Sequence, residues 1–368
     1  MLTIQGCRAR QQRLLRVMEQ NRWDLFLTAN YRTVYYLSGL LGPAEVPAVF
    51  AMESGGRSFV ISSVTGDAAA DETIALETYS TARVIDNLPA DAARLLQDAL
   101  GRFSGIGTCA ADEGRLPLAF AGAVASVRIE DAHAAILRLR KKKEEDEIDE
   151  IRRSLRLNAV AYRTAREAIE PGLTEIDVYN AMYAALCREA GTSVSFPGDF
   201  ACGERCVRGG GPPTRRRVER GDLYILDLFP VTAIYAGDTC RTIAVGQPTD
   251  LQLKAWERVH GALKLAESKV KPGLAARALY LEAKAYLDEP EWGEKSFWHH
   301  LGHGIGHDGH EAPRLIPGSD EAFEVGDVFT LEPGLYSMAM RGGIRLEDNY
   351  VVRENGIENL FEGVPLEL

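Results

Sequence analysis

The sequence predicts a smaller α/β unit over residues 1–145, followed by a larger α+β unit over residues 146–368 built from two related halves. Three observations carry that expectation. Two β-rich runs flank a glycine turn near the start, a crowded charge run at 141–150 reads as a boundary, and a helix–Pro-Gly-Leu–helix pattern occurs twice in the second part. At 368 residues the chain is also long enough for two cores.

In the first unit, the runs 48–52 and 57–61 read as strands on either side of Gly55-Gly56, and 92–100 reads as a helix. The stretch Lys141-Lys142-Lys143-Glu144-Glu145-Asp146-Glu147 then leads into a long helix whose apolar stripe begins with Ile148, Ile151, Leu155 and Leu157. Glu170-Pro171-Gly172-Leu173 and Lys271-Pro272-Gly273-Leu274 lie 101 residues apart, each between helix-like stretches. Thr174 and Asp177 form a capping-box pattern after the first. Strand signals follow at 223–229, 242–245 and 328–332, then at 343–347 with 349–352 continuing the same strand.

Composition narrows the function. The chain is 46% hydrophobic and 26% charged, with a net charge of −11, which argues against a broad nucleic-acid surface. Arg205, Arg208 and Arg215-Arg216-Arg217 make a local basic stretch, read as a solvated loop or a small-anion contact. No run is apolar for long enough to cross a bilayer, and the first residues lack the apolar centre of a secretory signal. Six cysteines in a chain of this length predict free thiols and a cytoplasmic setting.

Five of the seven histidines fall within residues 299–310: His299, His300, His303, His307 and His310. Such a cluster binds metal, moves protons or does both. Asp227, Asp238, Glu332 and Glu347 lie within or beside apolar strand runs, where an ionised carboxylate needs compensation. Period-two counting puts Asp227 on the face of Leu223 and Ile225. With His303 these four acids form a mostly oxygen donor set suited to manganese, with cobalt, zinc or iron as the other candidates. Two divalent cations would neutralise the four carboxylates.

These motifs resemble the pita-bread metallopeptidase family (M24). The matching stretches are Gly221-Asp222-Leu223-Tyr224-Ile225-Leu226-Asp227, Gly237-Asp238-Thr239, Gly302-His303-Gly304-Ile305-Gly306, Leu331-Glu332-Pro333-Gly334 and Ile344-Arg345-Leu346-Glu347-Asp348. Residues 29–39 resemble the amino-terminal domain of the prolidase, aminopeptidase P and creatinase branch. The resemblance implies an α+β pita-bread catalytic domain with pseudo-twofold halves, preceded by a smaller α/β creatinase-like domain. It implies Asp227, Asp238, His303, Glu332 and Glu347 as ligands of two divalent ions. It makes Glu332 the base and then the acid, has His310 steady charge on the substrate carbonyl, and has His299 contact the substrate carboxylate or amide. Arg345 is expected to neutralise ligating carboxylates or orient Glu347, and Arg241 to form an ion pair near Asp238. His307 is expected in the pocket, changing its polarity, or else at the surface or behind the pocket. A homodimer acting on short peptides, Xaa-Pro bonds first, is implied as well, with no nucleic-acid or membrane partner.

The match breaks at one place. Proline-specific relatives carry a histidine where this chain has Gly210, within Gly209-Gly210-Gly211-Pro212-Pro213. That keeps open a creatinase-like hydrolase of a small non-peptide C–N substrate. A catalytically silent peptide-binding protein is the third reading, which metal content would separate from the enzymes.

Overall fold

The structure is a computed structural model that describes residues 1–79, 84–85, 87–112, 116–288, 297–361 and 363–368. These residues divide into two compact units, Met1–Arg140 and Lys141–Leu368.

The first unit runs α1 (Ile4–Asn21), β1 (Leu25–Thr28), α2 (Tyr31–Ser38), β2 (Val49–Glu53), β3 (Ser58–Ser62), β4 (Glu72–Ala75), α3 (Leu88–Leu100), β5 (Thr108–Ala111), α4 (Leu118–Ala121), β6 (Arg128–Asp131) and α5 (His133–Lys141). Its six strands form one mixed sheet in the order β4-β3-β2-β1-β5-β6. The two predicted strands are β2 and β3, an antiparallel pair, with Gly56 at φ +89° in the turn. Helices cover both faces, so the central β1 is buried at every residue. Phe26 packs with Leu14, Leu37 and Ile136, while its neighbours Leu25 and Leu27 face the opposite way toward Leu96 and Phe120.

The second unit opens with α6 (Glu145–Ala168) and α7 (Glu175–Ala190). It continues through β7 (Gly198–Cys202), β8 (Leu223–Leu228), β9 (Val231–Thr232), β10 (Tyr235–Ala236) and β11 (Thr239–Ala244). Then come α8 (Asp250–Lys269), α9 (Ala276–Leu287), β12 (Gly302–Gly304), β13 (Glu311–Leu315), β14 (Val328–Leu331), β15 (Gly334–Ser337), β16 (Gly342–Arg345), β17 (Asp348–Arg353) and β18 (Gly356–Asn359). One sheet is ordered β11-β8-β7 and another β13-β12-β14-β17-β18. The charge run at the boundary is structural. Glu144 and Glu147 cap α6 reciprocally, and Lys143 forms a buried ion pair with Glu311 at 2.9 Å.

The Pro-Gly-Leu echo marks two halves built alike. Gly172 at φ +98° and Gly273 at φ +87° each turn the chain where an L side chain would be strained. The Gly172 amide donates to Val218 and that of Gly273 to Phe323, both at 2.8 Å. Val218 and Phe323 donate back to Leu173 and Leu274, while Glu175 and Ala276 donate to Arg216 and Glu321. The same hydrogen-bonded corner therefore launches α7 and α9. The Thr174–Asp177 capping box is present on α7.

One expected element divides. The run 343–352 is not a single strand: β16 pairs with β15, whereas β17 pairs with β14 and β18. At the break, Glu347 exchanges backbone hydrogen bonds with Cys240 of β11, at 3.0 and 3.2 Å. Leaving one sheet to touch another is what carries the Glu347 side chain toward the strand that bears Asp227.

Candidate metal centre

The five expected ligands line one cavity of about 370 Å³. Asp227 lies in β8, Asp238 just before β11, His303 in β12, Glu332 just after β14, and Glu347 between β16 and β17. Each is more than nine-tenths buried. Asn158 of α6 ties the first two together. Its amide nitrogen donates to the Leu228 carbonyl at 2.9 Å, to Gly237 at 3.2 Å and to the Thr239 hydroxyl at 2.8 Å. The Asp238 amide is held by the Asn349 side chain at 3.1 Å, and the Glu332 amide by the Leu301 carbonyl at 2.8 Å.

The donor atoms are arranged for cations. His303 Nδ1 donates to the Gly304 carbonyl at 3.0 Å, which leaves Nε2 as a lone pair. That lone pair faces Asp238 Oδ2 at 3.6 Å and Glu332 Oε1 at 3.4 Å. Buried Asp227 Oδ1 and Glu347 Oε2 have no hydrogen-bond partner. Buried acceptors turned toward acceptors need positive charge between them. The carboxyl groups register the strain. Burial, with repulsion from neighbouring acids, pushes Asp238 and Glu347 well above the usual carboxylate range and Asp227 up to about 6. Burial also pushes His303 down to about 4, so it stays neutral. Burial acts to raise Glu332 as well, but the His300, His303 and His299 rings outweigh it and hold this carboxyl low. The donor set fits divalent metal, with Asp238, His303 and Glu347 offering ligand atoms within 4.8 Å of one another.

Arg345 accounts for a second conflict. Asp199 of β7 stands directly opposite Asp227 of β8, an arrangement that sets like charges against each other. The Arg345 guanidinium bridges them, donating to Asp227 and, at 3.1 Å, to Asp199. It also donates to the Gly209 carbonyl at 3.1 Å and the Tyr336 hydroxyl at 3.2 Å. Of the two roles expected for Arg345, neutralising a ligand carboxylate is the one with a contact.

The remaining histidines take up distinct positions around the cavity. His299 lines the cavity, yet both ring nitrogens are engaged, Nδ1 with the His300 carbonyl at 2.7 Å and Nε2 with the Tyr336 hydroxyl at 2.8 Å. A substrate contact would have to replace one of these bonds. His303 lies in β12, and His299 in the non-helical stretch before it. His300 sits 3.0 Å from Glu332 Oε1. His310 is exposed at the cavity edge, its ring centroid 4.2 Å from that of His303. His307 is buried, does not line the cavity, and bonds the Tyr235 hydroxyl at 2.8 Å. Arg241 forms its ion pair with Asp348 at 2.7 Å and holds the Glu347 carbonyl at 2.8 Å. Strand alternation turns it away from Asp227, since Arg241 is an odd number of residues from the Asp227-facing Cys240.

The basic stretch is partly solvated, with Arg208, Arg215 and Arg217 exposed, and partly tied down. Arg205 binds buried Glu175, Arg216 binds Asp222 and Glu204, and Arg217 donates to the Gly172 carbonyl. Only Arg208 of this stretch lines the cavity. All six cysteines are free thiols. No helix among the described residues is long and apolar enough to cross a membrane.

Comparison with known proteins agrees with the geometry. Residues 149–354 match the model of metallopeptidase family M24, and residues 10–142 match that of the creatinase/prolidase N-terminal domain. The chain is 30% identical to a Pyrococcus horikoshii Xaa-Pro dipeptidase over 352 residues, covering 95% of each. It is 35% identical to a Pyrococcus furiosus Xaa-Pro dipeptidase over 224 residues, 61% of this chain and 63% of that protein. A solved Xaa-Pro dipeptidase from Bacillus anthracis has a TM-score of 0.83 at 26% identity, covering 98% of this chain and 99% of that one.

Proposed function

The chain belongs to metallopeptidase family M24, and from that premise we propose that it is an exopeptidase that hydrolyses Xaa-Pro bonds of short peptides with two divalent cations, manganese foremost. The observation that carries the reading is the inward-facing donor set: the His303 Nε2 lone pair against Asp238 and Glu332, with Asp227 Oδ1 and Glu347 Oε2 unbonded beside it. Asp227, Asp238, His303, Glu332 and Glu347 would hold the ions. When bound, the ions polarise the scissile carbonyl and make water a usable nucleophile near neutral pH. Glu332 takes the proton from the attacking water and returns it to the leaving nitrogen, with the His300 ring 3.0 Å away to steady its charge. His310, at the open edge, hydrogen-bonds the carbonyl oxygen as charge grows there. His299 is a positioning residue, its ring held between the Tyr336 hydroxyl and the His300 carbonyl. The free thiols support a reducing, cytoplasmic setting, and a homodimer rests on the family resemblance alone.

A manganese-supplemented hydrolysis screen tests this, using Gly-Pro, Ala-Pro, longer Xaa-Pro peptides and non-proline controls, with bound metal counted by mass spectrometry. Xaa-Pro turnover that disappears in Glu332→Gln is the expected result. Protein that retains no metal, or turnover indifferent to Glu332→Gln, would overturn it. One observation favours a second reading. Gly210 stands where the substrate-placing histidine was expected, and Asp199 fills the space beside it. Cleavage confined to a non-peptide amide or guanidino compound would select the creatinase-like alternative.

A further inference from the structure

We propose that His307 is the positioning residue for His310: through Tyr235 and Glu147 it ties the loop between β12 and β13 to α6, the helix that also braces the strands bearing Asp227 and Asp238. The proposal rests on the peptidase reading above, in which His310 meets the substrate carbonyl, and adds the group that holds it there.

Residues 305–310 join β12 to β13, and His310, exposed at the cavity edge, is the last of them. β12 and β13 slip register here, with Gly304 opposite Glu311 but His303 opposite Arg314. Beside His310, a side chain at Gly309 would meet no atom of the described residues within 4 Å. The loop is instead held by side chains on its inner side. Glu311 Oε1 accepts from the amides of His307 and Asp308 at 3.0 and 3.1 Å, and its Oε2 accepts from Lys143 at 2.9 Å. His307 supplies the second hold. It is buried and edge-on to the Tyr235 ring, with centroids 4.7 Å apart, and its Nε2 lies 2.8 Å from the Tyr235 hydroxyl.

The direction of that bond follows from counting protons. Tyr235 has one hydroxyl proton, and it goes to Glu147 Oε1 at 3.0 Å. The hydroxyl oxygen then accepts from His307, whose Nε2 carries the ring proton. Glu147 is fixed in turn, its Oε2 accepting from the Glu144 amide at 2.9 Å in the cap of α6. All three side chains are out of water, where linked hydrogen bonds strengthen one another. Asp238 follows Tyr235 by three residues, and Asn158, further along α6, bonds the backbone beside Asp227 and Asp238. One helix therefore sets the loop of His310 and two of the proposed ligands against each other. A misplacement of about 1 Å between such groups can cost on the order of a hundred-fold in rate.

Kinetics and hydrogen exchange on the manganese-loaded protein test this. His307→Leu keeps the bulk and removes the donor. Its kcat for Gly-Pro should fall roughly ten-fold or more, with KM and bound manganese little changed, because His310 acts on charge that grows at the carbonyl. His307→Gln, whose amide can still donate to Tyr235, should recover part of the loss. Tyr235→Phe should act in the same direction, and the two changes together should cost less than their sum. In a His310→Ala background, His307→Leu should change kcat by less than about two-fold. A full loss in that background, or a loss that follows departing manganese, would overturn the proposal, since His307 would then act on something other than His310. The tether has its own readout. Amides of residues 305–311 should exchange roughly ten-fold faster or more in His307→Leu than in the parent, and unchanged exchange would sink the proposal. Should the parent cleave no Xaa-Pro peptide, the peptidase reading fails, while exchange still decides whether His307 holds the loop of His310.

Discussion

Gly210 offers a test of whether the wall of the site has been rebuilt around Asp199. An alanine Cβ at 210 would lie 2.5 Å from both Cβ and Oδ2 of Asp199, with Cγ closer still. Ordinary contact begins near 3.4 Å, so the shortfall is close to an ångström. Overpacking of that kind costs about 1–3 kcal/mol. Gly210 also has φ +138°, a region that costs a non-glycine residue roughly 1–3 kcal/mol. Gly210→Ala should therefore destabilise by about 2–6 kcal/mol, lowering Tm by on the order of 10 °C. Asp199→Gly removes all three crowding atoms but leaves the backbone strain. A double-mutant cycle by calorimetric unfolding should show a favourable coupling of about 1–3 kcal/mol, with the double variant still less stable than Asp199→Gly alone. If Gly210→Ala unfolds within about 0.5 kcal/mol of the parent, or the two changes simply add, the crowding argument is wrong. If the coupling holds, a histidine cannot be restored at 210 by one substitution, because Asp199 already holds the space.

Three other outcomes follow from the same geometry. Burial raises the Asp227, Asp238 and Glu347 carboxyls in the metal-free protein, so manganese binding near pH 6 should release more than one proton, measurable by calorimetry in buffers of different ionisation enthalpy. The sign for stability is the same, since these folded-state pKa values lie above the unfolded ones. Metal-free Tm should fall as pH rises from about 4 through 6, and saturating manganese should flatten that slope, whereas a metal-free Tm that rises over this window would contradict it. Asn158→Ala strands the Leu228 and Gly237 carbonyls behind the two aspartates, so it should cost about 2–5 kcal/mol in urea unfolding and weaken manganese binding; unchanged metal affinity would separate Asn158 from the centre. Of the cysteines, only Cys187 is not buried, and burial pushes the Cys109 and Cys206 thiols up to about 12, so native protein should react with a thiol reagent at about one site, against six after unfolding.

The residues proposed as ligands stand out in the sequence where they break a local rule. A carboxylate on the buried face of an apolar strand, as at Asp227, conflicts with burial unless something compensates it, and period-two counting exposes the conflict without any tertiary information. The two halves were legible for a similar reason, since Pro-Gly-Leu demands a left-handed glycine at each helix junction. The partners of these residues were not. Arg241 reaches Asp348 and Arg345 reaches Asp199 because β11, β7 and the break before β17 meet in a register that nothing in any single segment encodes. The continuous strand read at 343–352 failed on the same ground, because alternation is local while the change of sheet at Leu346-Glu347 is a tertiary event.

Asp199 shows where such reading stops and what a structure adds. Its sequence context, Pro197-Gly198-Asp199-Phe200, is an ordinary turn signal, and nothing there suggests a second acid facing Asp227. Only the β7–β8 register sets the two carboxylates opposite each other, and only then does Gly210 acquire a reason beyond loop flexibility. Gly210 and Asp199 thus share one volume, and a side chain at 210 would have to displace the acid. The wall there carries an acid matched by Arg345 in place of a potential hydrogen-bond donor. Specificity in this chain should accordingly respond to the Asp199–Gly210 pair, while metal binding should respond to the five proposed ligands and to Asn158 behind them.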